Sequence, residues 1–492
     1  MKQMTVNATD SKGLQIEIDK NGNNPAEFIL KNNLLINSLV RFYNFADLNG
    51  CGKTLTLMQD APVSPFGEQV PMIGSKLGTG INGLKIHDII FEGNRDRQSK
   101  VPTNISHAGS NKNWGIGYHN FIGIGNLKTP VIANALNCEF YNLEFNNNLG
   151  DGIRVEGGTN IIVHDIKGKR GGHDIINLSS VLGGEVYNLD VDMAVNAAVR
   201  TRSSRNIKIH DCKINGNTGL AYSPGIQIQS TEANKRSSGI EIYNNYIYGT
   251  YGPGIQIAGS VPNNGLVTVR NNLIVSCGRM PASNKIGGVG GIVFDGFDVD
   301  IQNNTICGSL GYGIKAGPYD VVSTYKNKAT IKNNIITHTK KSLAPGLMSG
   351  CGVADLTGGR CTSASNCNCL YGNVANYYNV TSSGDIKLDP LYTSTNDYHL
   401  QSQGGRYTSE GTIYDSITSP CVLSDHELGR YGGTSEASVF LSSELPAELP
   451  AIVIPRKDET DLRNFYNALL KSGLLKEDEK VEFVHVSNNF NV

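Results

Sequence analysis

One short sequence phrase recurs along the chain and constrains its fold more than any other feature. The phrase consists of a small residue, Ile, a polar residue and a second Ile. YSPGIQIQS carries Ile226, and TYGPGIQIAG repeats the phrase 29 residues later at Ile255. The same anchor position recurs with steps of 31, 23, 23, 27, 29, 37 and 22 residues at Ile122, Ile153, Ile176, Val199, Ile226, Ile255, Ile292 and Ile314. A minimum period near 23 residues with variable insertions indicates a solenoid.

A second series runs out of phase with the anchors. Each member is an Asp or Asn that follows an aromatic, basic or polar residue and precedes a short apolar strand: Asp88, Asn142, Asp165, Asn188, Asp211, Asn244, Asn271, Asn303 and Asn333. Short stretches of alternating polarity surround both series, and no helical periodicity interrupts them between Leu84 and Thr337. The leucine-rich-repeat frame is absent. We therefore predict an all-β fold, a right-handed parallel β-helix with one coil per repeat.

Stacking of coils also predicts a role for the second series. Neighbouring coils of a parallel β-helix lie about 4.8 Å apart, so equivalent Asn and Asp side chains can form a hydrogen-bonded ladder along the stack. His87, His164 and His210 precede members of this series. We interpret them as turn histidines and not as ligands.

Composition excludes several classes of partner. The formal net charge is −1, which gives no electrostatic reason to bind nucleic acid or an anionic membrane. No apolar run is long enough for a transmembrane helix. The first residues lack the apolar core of a signal peptide. We expect an extracellular or cell-surface protein whose signal has been removed, or a virion-borne protein, which would then form a homotrimer.

The chain divides into three regions. Residues 1–80 are predicted to be an N-terminal cap with the first strands, and residues 81–432 the β-helix itself. Residues 433–492 begin with a linker, and DETDLRNFYNALLKSGLL has helical spacing between two strand-like segments. This last region is predicted to be a small α/β module that caps the final coil or binds a partner.

Eight of the ten cysteines fall into two groups. Cys351, Cys361, Cys367 and Cys369 lie in one loop-like segment with a spacing that fits no zinc motif, and we expect two disulfides there. Cys138, Cys212, Cys277 and Cys307 lie in strand-like segments and are expected to be buried thiols.

The residues that follow the anchors predict a glycan-binding groove. Side chains alternate along a strand, so these residues should point outward. They include Arg, amide and acidic side chains, which together suit carboxylated or N-acetylated sugars. The expected contacts are Arg154, Glu156, Asn177, Arg202, Gln227, Gln229, Gln256 and Asp295, with His119, Tyr222 and Tyr251 in the flanking turns. The alternative is a surface that is merely polar.

Asp151 and Asp174 occupy equivalent places on neighbouring coils, and Asn120 and Ala197 occupy the same place on the coils beside them. Two carboxylates about 5 Å apart are the arrangement of retaining glycosidases, and crowding would keep one of them protonated. The alternatives are a pair of turn-capping aspartates or a Ca²⁺ site; we expect no other cofactor.

Elimination is the competing chemistry. Arg200 or Arg202 could neutralise a uronate carboxylate and so acidify the neighbouring proton of the sugar ring. Either His173, which precedes Asp174, or a tyrosine could then act as the base.

Several of these segments resemble a known family. GYHNFI (117–122), NLGDGIRV (148–155), GHD (172–174), AVRTRSSRNIKIHD (198–211) and YNNYIYGTYGPGIQIAG (243–259) resemble the disaggregatase-related proteins of methanogenic archaea. The resemblance covers roughly residues 20–340 and leaves out the Cys-rich loop and the C-terminal region. It implies a right-handed β-helix that cleaves methanochondroitin, a polymer of uronic acid and N-acetylgalactosamine. Asp151, Arg154, His173, Asp174 and Arg200 fall on the matching motifs.

The sequence thus predicts a depolymerase of an acidic polysaccharide, with Asp151, Asp174, His173 and Arg200 as catalytic residues and hydrolysis slightly favoured over elimination. The competing prediction is a non-catalytic surface or tail-fibre protein that only adheres to glycans, since β-helices serve both purposes.

Overall fold

The structure is a computed structural model. It describes residues 1–60, 71–75, 80–98, 120–125, 135–148, 150–169, 171–192, 196–216, 224–230, 236–261, 264–279, 289–317, 323–342, 349–408, 411–422 and 429. His119, Tyr222 and the predicted C-terminal module lie outside these residues. Every structural statement below concerns the described part of the chain, in which no helix is long and apolar enough to span a membrane.

The chain winds into three stacks of parallel strands, which share one hydrogen-bonded network of 32 strands. Three long strands turn one corner and belong to two stacks each: β5 (Ala46–Leu57), β8 (Lys85–Glu92) and β10 (Ala135–Asn146). Two longer strands, β11 (Ile153–Lys169) and β12 (Ile176–Asp192), turn two corners and belong to all three stacks. Parallel pairing of strands on successive turns of the chain is the defining feature of a β-helix.

The first stack, here called the anchor sheet, carries the repeated Ile phrase. Beside the first halves of β11 and β12 it contains β4 (Val40–Arg41), β6 (Ile73–Gly74), β9 (Ile122–Gly125), β13 (Val199–Arg202), β16 (Ile226–Ser230), β19 (Ile255–Gly259), β22 (Gly290–Asp295), β25 (Tyr312–Ala316), β28 (Cys351–Asp355) and β31 (Ala375–Tyr378).

The other two stacks complete each coil. The second contains β1 (Lys2–Val6), β2 (Ala26–Leu30), β14 (Arg205–His210), β17 (Ile240–Tyr243), β20 (Leu266–Arg270), β23 (Asp298–Gln302), β26 (Asn327–Lys332), β29 (Cys361–Asn366) and β32 (Ser382–Ser383). The third contains β3 (Leu34–Ile36), β15 (Lys213–Asn215), β18 (Tyr246–Tyr248), β21 (Leu273–Val275), β24 (Thr305–Cys307), β27 (Ile335–Thr337) and β30 (Cys369–Tyr371). β7 (Ile81–Asn82) pairs with the start of β10, and β33 (Arg406–Thr408) forms an antiparallel hairpin with β34 (Gly411–Ile413).

The anchor series is confirmed residue by residue. Ile226 pairs with Ile255, and the register continues without a slip through all eight positions from Ile122 to Ile314. Every anchor side chain is fully buried. The glycine before an anchor is required by close approach, because a Cβ on Gly254 would lie 2.6 Å from Ile274 and 2.8 Å from the carbonyl oxygen of Gly291. The repeated phrase is therefore one strand seen on successive coils.

The second series marks a corner of the coil. All nine Asp and Asn residues have positive φ between 49 and 57°, the left-handed conformation that Asn and Asp tolerate better than other non-glycine residues. The predicted side-chain ladder exists on early coils, where Asn142 donates to Asp88 and Asn188 to Asp165.

A second, buried ladder lies one residue later, and the sequence prediction missed it. Each amide Nδ2 donates to the Oδ1 of the next coil at 2.9–3.1 Å, through Asn245, Asn272, Asn304, Asn334 and Asn368. The same Oδ1 atoms accept backbone N–H groups, as Asn334 does from Asn304. The later coils therefore use stacked amides to satisfy buried backbone groups at this corner.

The three turn histidines belong to an aromatic stack. His87, Tyr141, His164, Tyr187, His210 and Tyr243 lie face to face, with ring centroids 4.6–5.2 Å apart. Arg270 ends the stack, with its guanidinium carbon 4.3 Å from the Tyr243 centroid. Each histidine also contacts the Asp that follows it, as His210 does at 2.6 Å from Asp211. Their predicted role as turn residues agrees with these contacts.

The N-terminal region contains the one α-helix among the described residues, α1 (Ser11–Asn21), which the sequence prediction did not include; Arg95–Arg97 form a single 3₁₀ turn. Asp10 caps α1 by accepting a hydrogen bond from Gly13 N at 2.7 Å. Leu14 and Ile18 are buried and join the core at this end of the coil stack. The parallel stack itself already begins with β1, which pairs with β2.

The cysteine prediction was wrong for the Cys-rich segment. All ten cysteines are free thiols, including Cys351, Cys361, Cys367 and Cys369. Cys351, Cys361 and Cys369 lie on strands β28, β29 and β30, where each faces a neighbouring coil instead of another cysteine of the predicted loop. The four cysteines predicted to be buried thiols are free, three of them fully buried and Cys307 partly exposed.

Candidate active site

The candidate site lies where the chain enters the anchor sheet. Here a side-chain oxygen on one coil accepts the backbone N–H at the equivalent place on the next. Asn120 accepts from Asp151 at 2.7 Å, Asp151 from Asp174 at 3.1 Å and Asp174 from Ala197 at 3.0 Å. This ladder confirms the predicted equivalence of the four positions. It also shows that turn capping uses one oxygen of each aspartate and leaves the second oxygen for other contacts.

Asp151 is surrounded by donors. His173 Nδ1 lies 2.6 Å from its Oδ1, and Arg154 donates to its Oδ2 at 3.3 Å. Arg154 also holds Glu156, at 2.9 Å through Nε and 2.5 Å through a terminal nitrogen. The Asn177 amide reaches Asp151 Oδ2 at 3.3 Å.

Asp174 has its own set of partners. Its Oδ2 lies 3.0 Å from Asn177 Nδ2, 3.2 Å from His173 Nδ1 and 3.5 Å from a terminal nitrogen of Arg200. Its Oδ1 accepts from Asn196 Nδ2 at 2.6 Å. His173 and Asn177 therefore contact both carboxylates and join them into one cluster.

The two carboxyl groups are fully buried, while side chains around them reach the surface. His173 retains 14% of its side-chain exposure, Arg154 19% and Arg200 11%. Burial alone would raise the pKa of Asp151, but the His173 ring and the Arg154 guanidinium reverse this and hold that pKa below its ordinary value. Asp151 is therefore the ionised member of the pair at neutral pH, and the expectation that crowding keeps one of the two carboxyl groups protonated stays a prediction.

The sequence reasoning missed Asn196. It precedes Ala197 as His173 precedes Asp174, so the alignment of HDII (173–176) with NAAV (196–199) was the signal that could have identified it. The ladder position alone does not reveal Asn196, because Ala197, which occupies that position on this coil, carries no polar group.

The glutamines predicted to line an open groove are buried. Gln227 donates to Gln256 at 2.9 Å, and Gln229 accepts from Arg200 at 2.6 Å. All three amide side chains lie on the face of the anchor sheet opposite the anchors, as predicted, but are at most 6% exposed. The predicted alternation of side chains between the two faces of the sheet is confirmed, but a side chain that points outward is not necessarily exposed to solvent.

Asp295 lies far from the aspartate pair. Four coils separate its strand from that of Asp174, which corresponds to about 19 Å. Arg360 binds its carboxylate with two nitrogens at 3.0 and 3.2 Å. Lys315 is buried nearby, and burial lowers its pKa to about 7 despite the charge of Asp295.

Of the remaining predicted contacts, Arg202 is partly exposed on β13, in register with Gln229. Tyr251 is partly exposed beside Arg279, whose guanidinium carbon lies 5.8 Å from the ring centroid. The structure thus brings together Asp151, His173, Asp174, Arg154, Glu156, Asn177 and Arg200, and leaves Tyr251 and Asp295 apart from them.

The same cluster is the one group of described residues with metal-ligand geometry. The ligand atoms of Asp151, His173 and Asp174 all lie within 4.8 Å of one another. Their oxygens, however, already face Arg154, Arg200 and the donor nitrogen of Asn177. Two guanidinium groups and an amide donor make a poor surrounding for Ca²⁺, which binds oxygen ligands. The residues present fit an anionic or hydroxylated ligand better than a cation.

Two family models match the sequence. Residues 237–424 match the model described as "Disaggregatase related", and residues 104–272 match that of the right-handed β-helix region. The range matched by the first model lies further toward the C terminus than the resemblance over roughly residues 20–340, and it includes the Cys-rich segment, which the resemblance leaves out. No curated protein matches the chain.

Solved structures of parallel β-helix proteins are similar at low identity. The A-module of mannuronan C-5 epimerase AlgE4 from Azotobacter vinelandii has a TM-score of 0.47 at 13% identity, covering 78% of this chain and 97% of that one. An exopolygalacturonase from Thermotoga maritima has a TM-score of 0.41 at 11% identity, covering 78% and 92%. The Dettilon tailspike protein has a TM-score of 0.36 at 12% identity, covering 78% and 70%.

The register of the strands and the two family matches agree with each other. The chain is a right-handed parallel β-helix protein, and its residues 237–424 match the disaggregatase-related family model.

Proposed function

We propose that the protein is an enzyme that cleaves glycosidic bonds in an acidic, chondroitin-like polysaccharide of the methanochondroitin type. The observation that carries the proposal is the convergence of two carboxylates, one imidazole and two guanidinium groups on adjacent coils. The matched family model is described as disaggregatase related, and the family resemblance in the sequence implies a substrate of this class. Guanidinium groups at the rim of the cluster suit the carboxylate of a uronic acid.

Hydrolysis is the first candidate reaction. Two carboxyl groups with oxygens within 4.8 Å can serve as an acid and an ionised partner. Asp151 is the ionised partner because of its lowered pKa. In this scheme Asp174 takes the role of the proton donor, and His173, whose Nδ1 lies 3.2 Å from Asp174 Oδ2, orients it. Both carboxyl groups are buried without substrate, so the polymer has to displace a covering side chain such as Asn177 or His173 to reach them.

Elimination is the second candidate, and the position of the arginines favours it. Arg154 and Arg200 flank the cluster on neighbouring coils and could neutralise a uronate carboxylate. His173 is held through Nδ1 by the ionised Asp151, which directs its Nε2 edge away from that carboxylate. In this scheme His173 removes the ring proton and Asp151 only orients it.

The experiment is incubation of the protein with a chondroitin-type polymer, with its carboxyl-reduced form as the control. New reducing ends without ultraviolet absorbance of an unsaturated uronate indicate hydrolysis, and reducing ends with that absorbance indicate elimination. If a panel of acidic polymers gives neither signal, the proposed enzymatic function is wrong.

Non-catalytic adhesion to glycans is the remaining alternative, and binding of the polymer without cleavage would support it. An extracellular, cell-surface or virion-borne location, and a homotrimer in the virion-borne case, remain predictions. Sedimentation of the purified protein would test the trimer directly.

A further inference from the structure

His173 and Asn196 occupy the same position on neighbouring coils. The backbone N–H of Asn196 donates to the carbonyl of His173 at 3.1 Å. Each side chain contacts the aspartate of the preceding coil through a nitrogen at 2.6 Å, His173 to Asp151 and Asn196 to Asp174. The contact that orients the first carboxylate is therefore repeated, with an amide in place of an imidazole, at the second.

The other end of the Asn196 amide is unsatisfied. The Asn196 side chain is fully buried, and yet its Oδ1 atom has no hydrogen-bond partner. Asp174 Oδ1 also accepts from the Ala197 backbone N–H at 3.0 Å, so a rotated amide would place two acceptor oxygens against each other, and the contact at 2.6 Å fixes the orientation. A buried acceptor without a partner loses its hydration and gains nothing in return, so such a group requires an explanation.

Arg200 presents the complementary group beside the same carboxylate. Its Nε is also buried without a partner, while its terminal nitrogens contact Asp174 and Gln229. One unsatisfied acceptor and one unsatisfied donor thus belong to side chains that both touch Asp174. A ligand carboxylate could accept from Arg200 Nε but could not donate to Asn196 Oδ1. A ligand ammonium group could donate to Asn196 Oδ1 but could not accept from Arg200 Nε. A hydroxyl group can do both.

We infer that Asn196 and Arg200 bind a hydroxyl group against Asp174, and that Asn196 is a positioning residue of the active site. The hydroxyl belongs to a sugar unit of the polymer or to a water molecule. This inference rests on the proposed function, since it places the bound group next to the proposed proton donor. It assigns to Asn196 a role in the reaction beyond holding the fold.

The test is Asn196→Ala, compared with Asn304→Ala as a matched control. Asn304 is an equally buried asparagine whose amide nitrogen and oxygen both have partners in the ladder far from the site. If a sugar hydroxyl is bound, Asn196→Ala raises KM for the chondroitin-type polymer by about 3- to 10-fold, the value of one neutral hydrogen bond. If a water is bound, kcat falls by a similar factor and KM stays the same. Asn304→Ala changes neither constant per folded molecule.

An unchanged kcat and KM in folded Asn196→Ala would overturn the inference while leaving the proposed function intact. A crystal structure of the unsubstituted protein, free and soaked with a chondroitin hexasaccharide, gives a second measurement if the variant does not fold. Density for a water or a sugar oxygen between Asn196 Oδ1 and Arg200 Nε supports the inference, and a protein donor on Oδ1 refutes it. If no acidic polymer is bound or cleaved, the proposed function fails first, and the sugar form of the inference fails with it.

Discussion

Asp151 and Asp174 share one place in the repeat but differ in their surroundings. Asp151 faces His173 and Arg154, whereas Asp174 faces Asn196, Asn177 and Arg200. Such differences separate the behaviour of two nearby carboxyl groups, and this separation is what acid–base chemistry requires.

Asp151→Asn and Asp174→Asn should each lower turnover of the acidic polymer by several orders of magnitude. The fold should survive both changes, because Asn120 already caps the next coil from the equivalent position at 2.7 Å. Turnover would be measured from new reducing ends, and folding from the thermal midpoint and polymer binding. Near-normal turnover in both variants would show that the aspartates only cap turns.

The sequence could predict the pairing of these aspartates because the 23-residue step between them equals the step between the anchors Ile153 and Ile176 on the same two coils. The sequence could not predict that the two aspartates are buried, because the segments that cover them are not part of the periodic pattern. It also could not predict that Arg200 reaches Asp174, because side-chain conformations are not periodic. The same limit explains why Gln227 and Gln256 were expected in an open groove and are buried.

At the scale of single elements, the two residues of each Asn-Asn pair at the coil corner have different roles. Asn303 has a φ of 55°, and Asn304 forms the buried ladder. Asn304→Ala should lower the free energy of unfolding by about 2–4 kcal/mol, because several buried donors and acceptors lose their partner. Asn303→Gly should be nearly neutral, since glycine adopts positive φ without strain. Equal losses in urea unfolding would contradict this division.

The aromatic stack predicts a pH dependence. Burial alone would lower the pKa of His87 and of His210, but hydrogen bonds to their carboxylate neighbours outweigh it, and both pKa values are raised. A raised pKa in the folded state stabilises the protein fully below the unfolded value near 6.5, and this contribution is lost as pH rises through the folded value.

Urea unfolding should therefore show a stabilising contribution from these histidines at pH 5.5 that is absent at pH 9. In the double variant His87→Gln, His210→Gln this part of the pH dependence should disappear. A His338→Gln variant is the control, because His338 lies outside the stack. The same pH dependence in the double variant and in the unsubstituted protein would show that other groups cause it.

For the whole molecule, the period of the sequence determines the register, and the register determines the fold. Eight anchors read from one repeated phrase lie in one continuous stack, whereas the expected disulfides do not exist. Cysteine spacing alone does not reveal that Cys351, Cys361 and Cys369 belong to strands of different stacks. The protein is thus held together by contacts between neighbouring coils.

Ile226→Ala should reveal this dependence on neighbouring coils. Ile226 lies between Val199 and Ile255, so the cavity left by the change would separate the coils on both sides. The expected cost is about 2–5 kcal/mol. Because each coil contacts only its neighbours, unfolding should become less cooperative. Either the free energy of unfolding depends less steeply on urea concentration, or two transitions appear.

Leu266→Ala, at a position 49% exposed on a nearby strand, is the control, and it should lower the free energy of unfolding by less than about 0.5 kcal/mol. A single transition of unchanged steepness in Ile226→Ala would mean that the β-helix unfolds as one unit, through couplings longer than one coil.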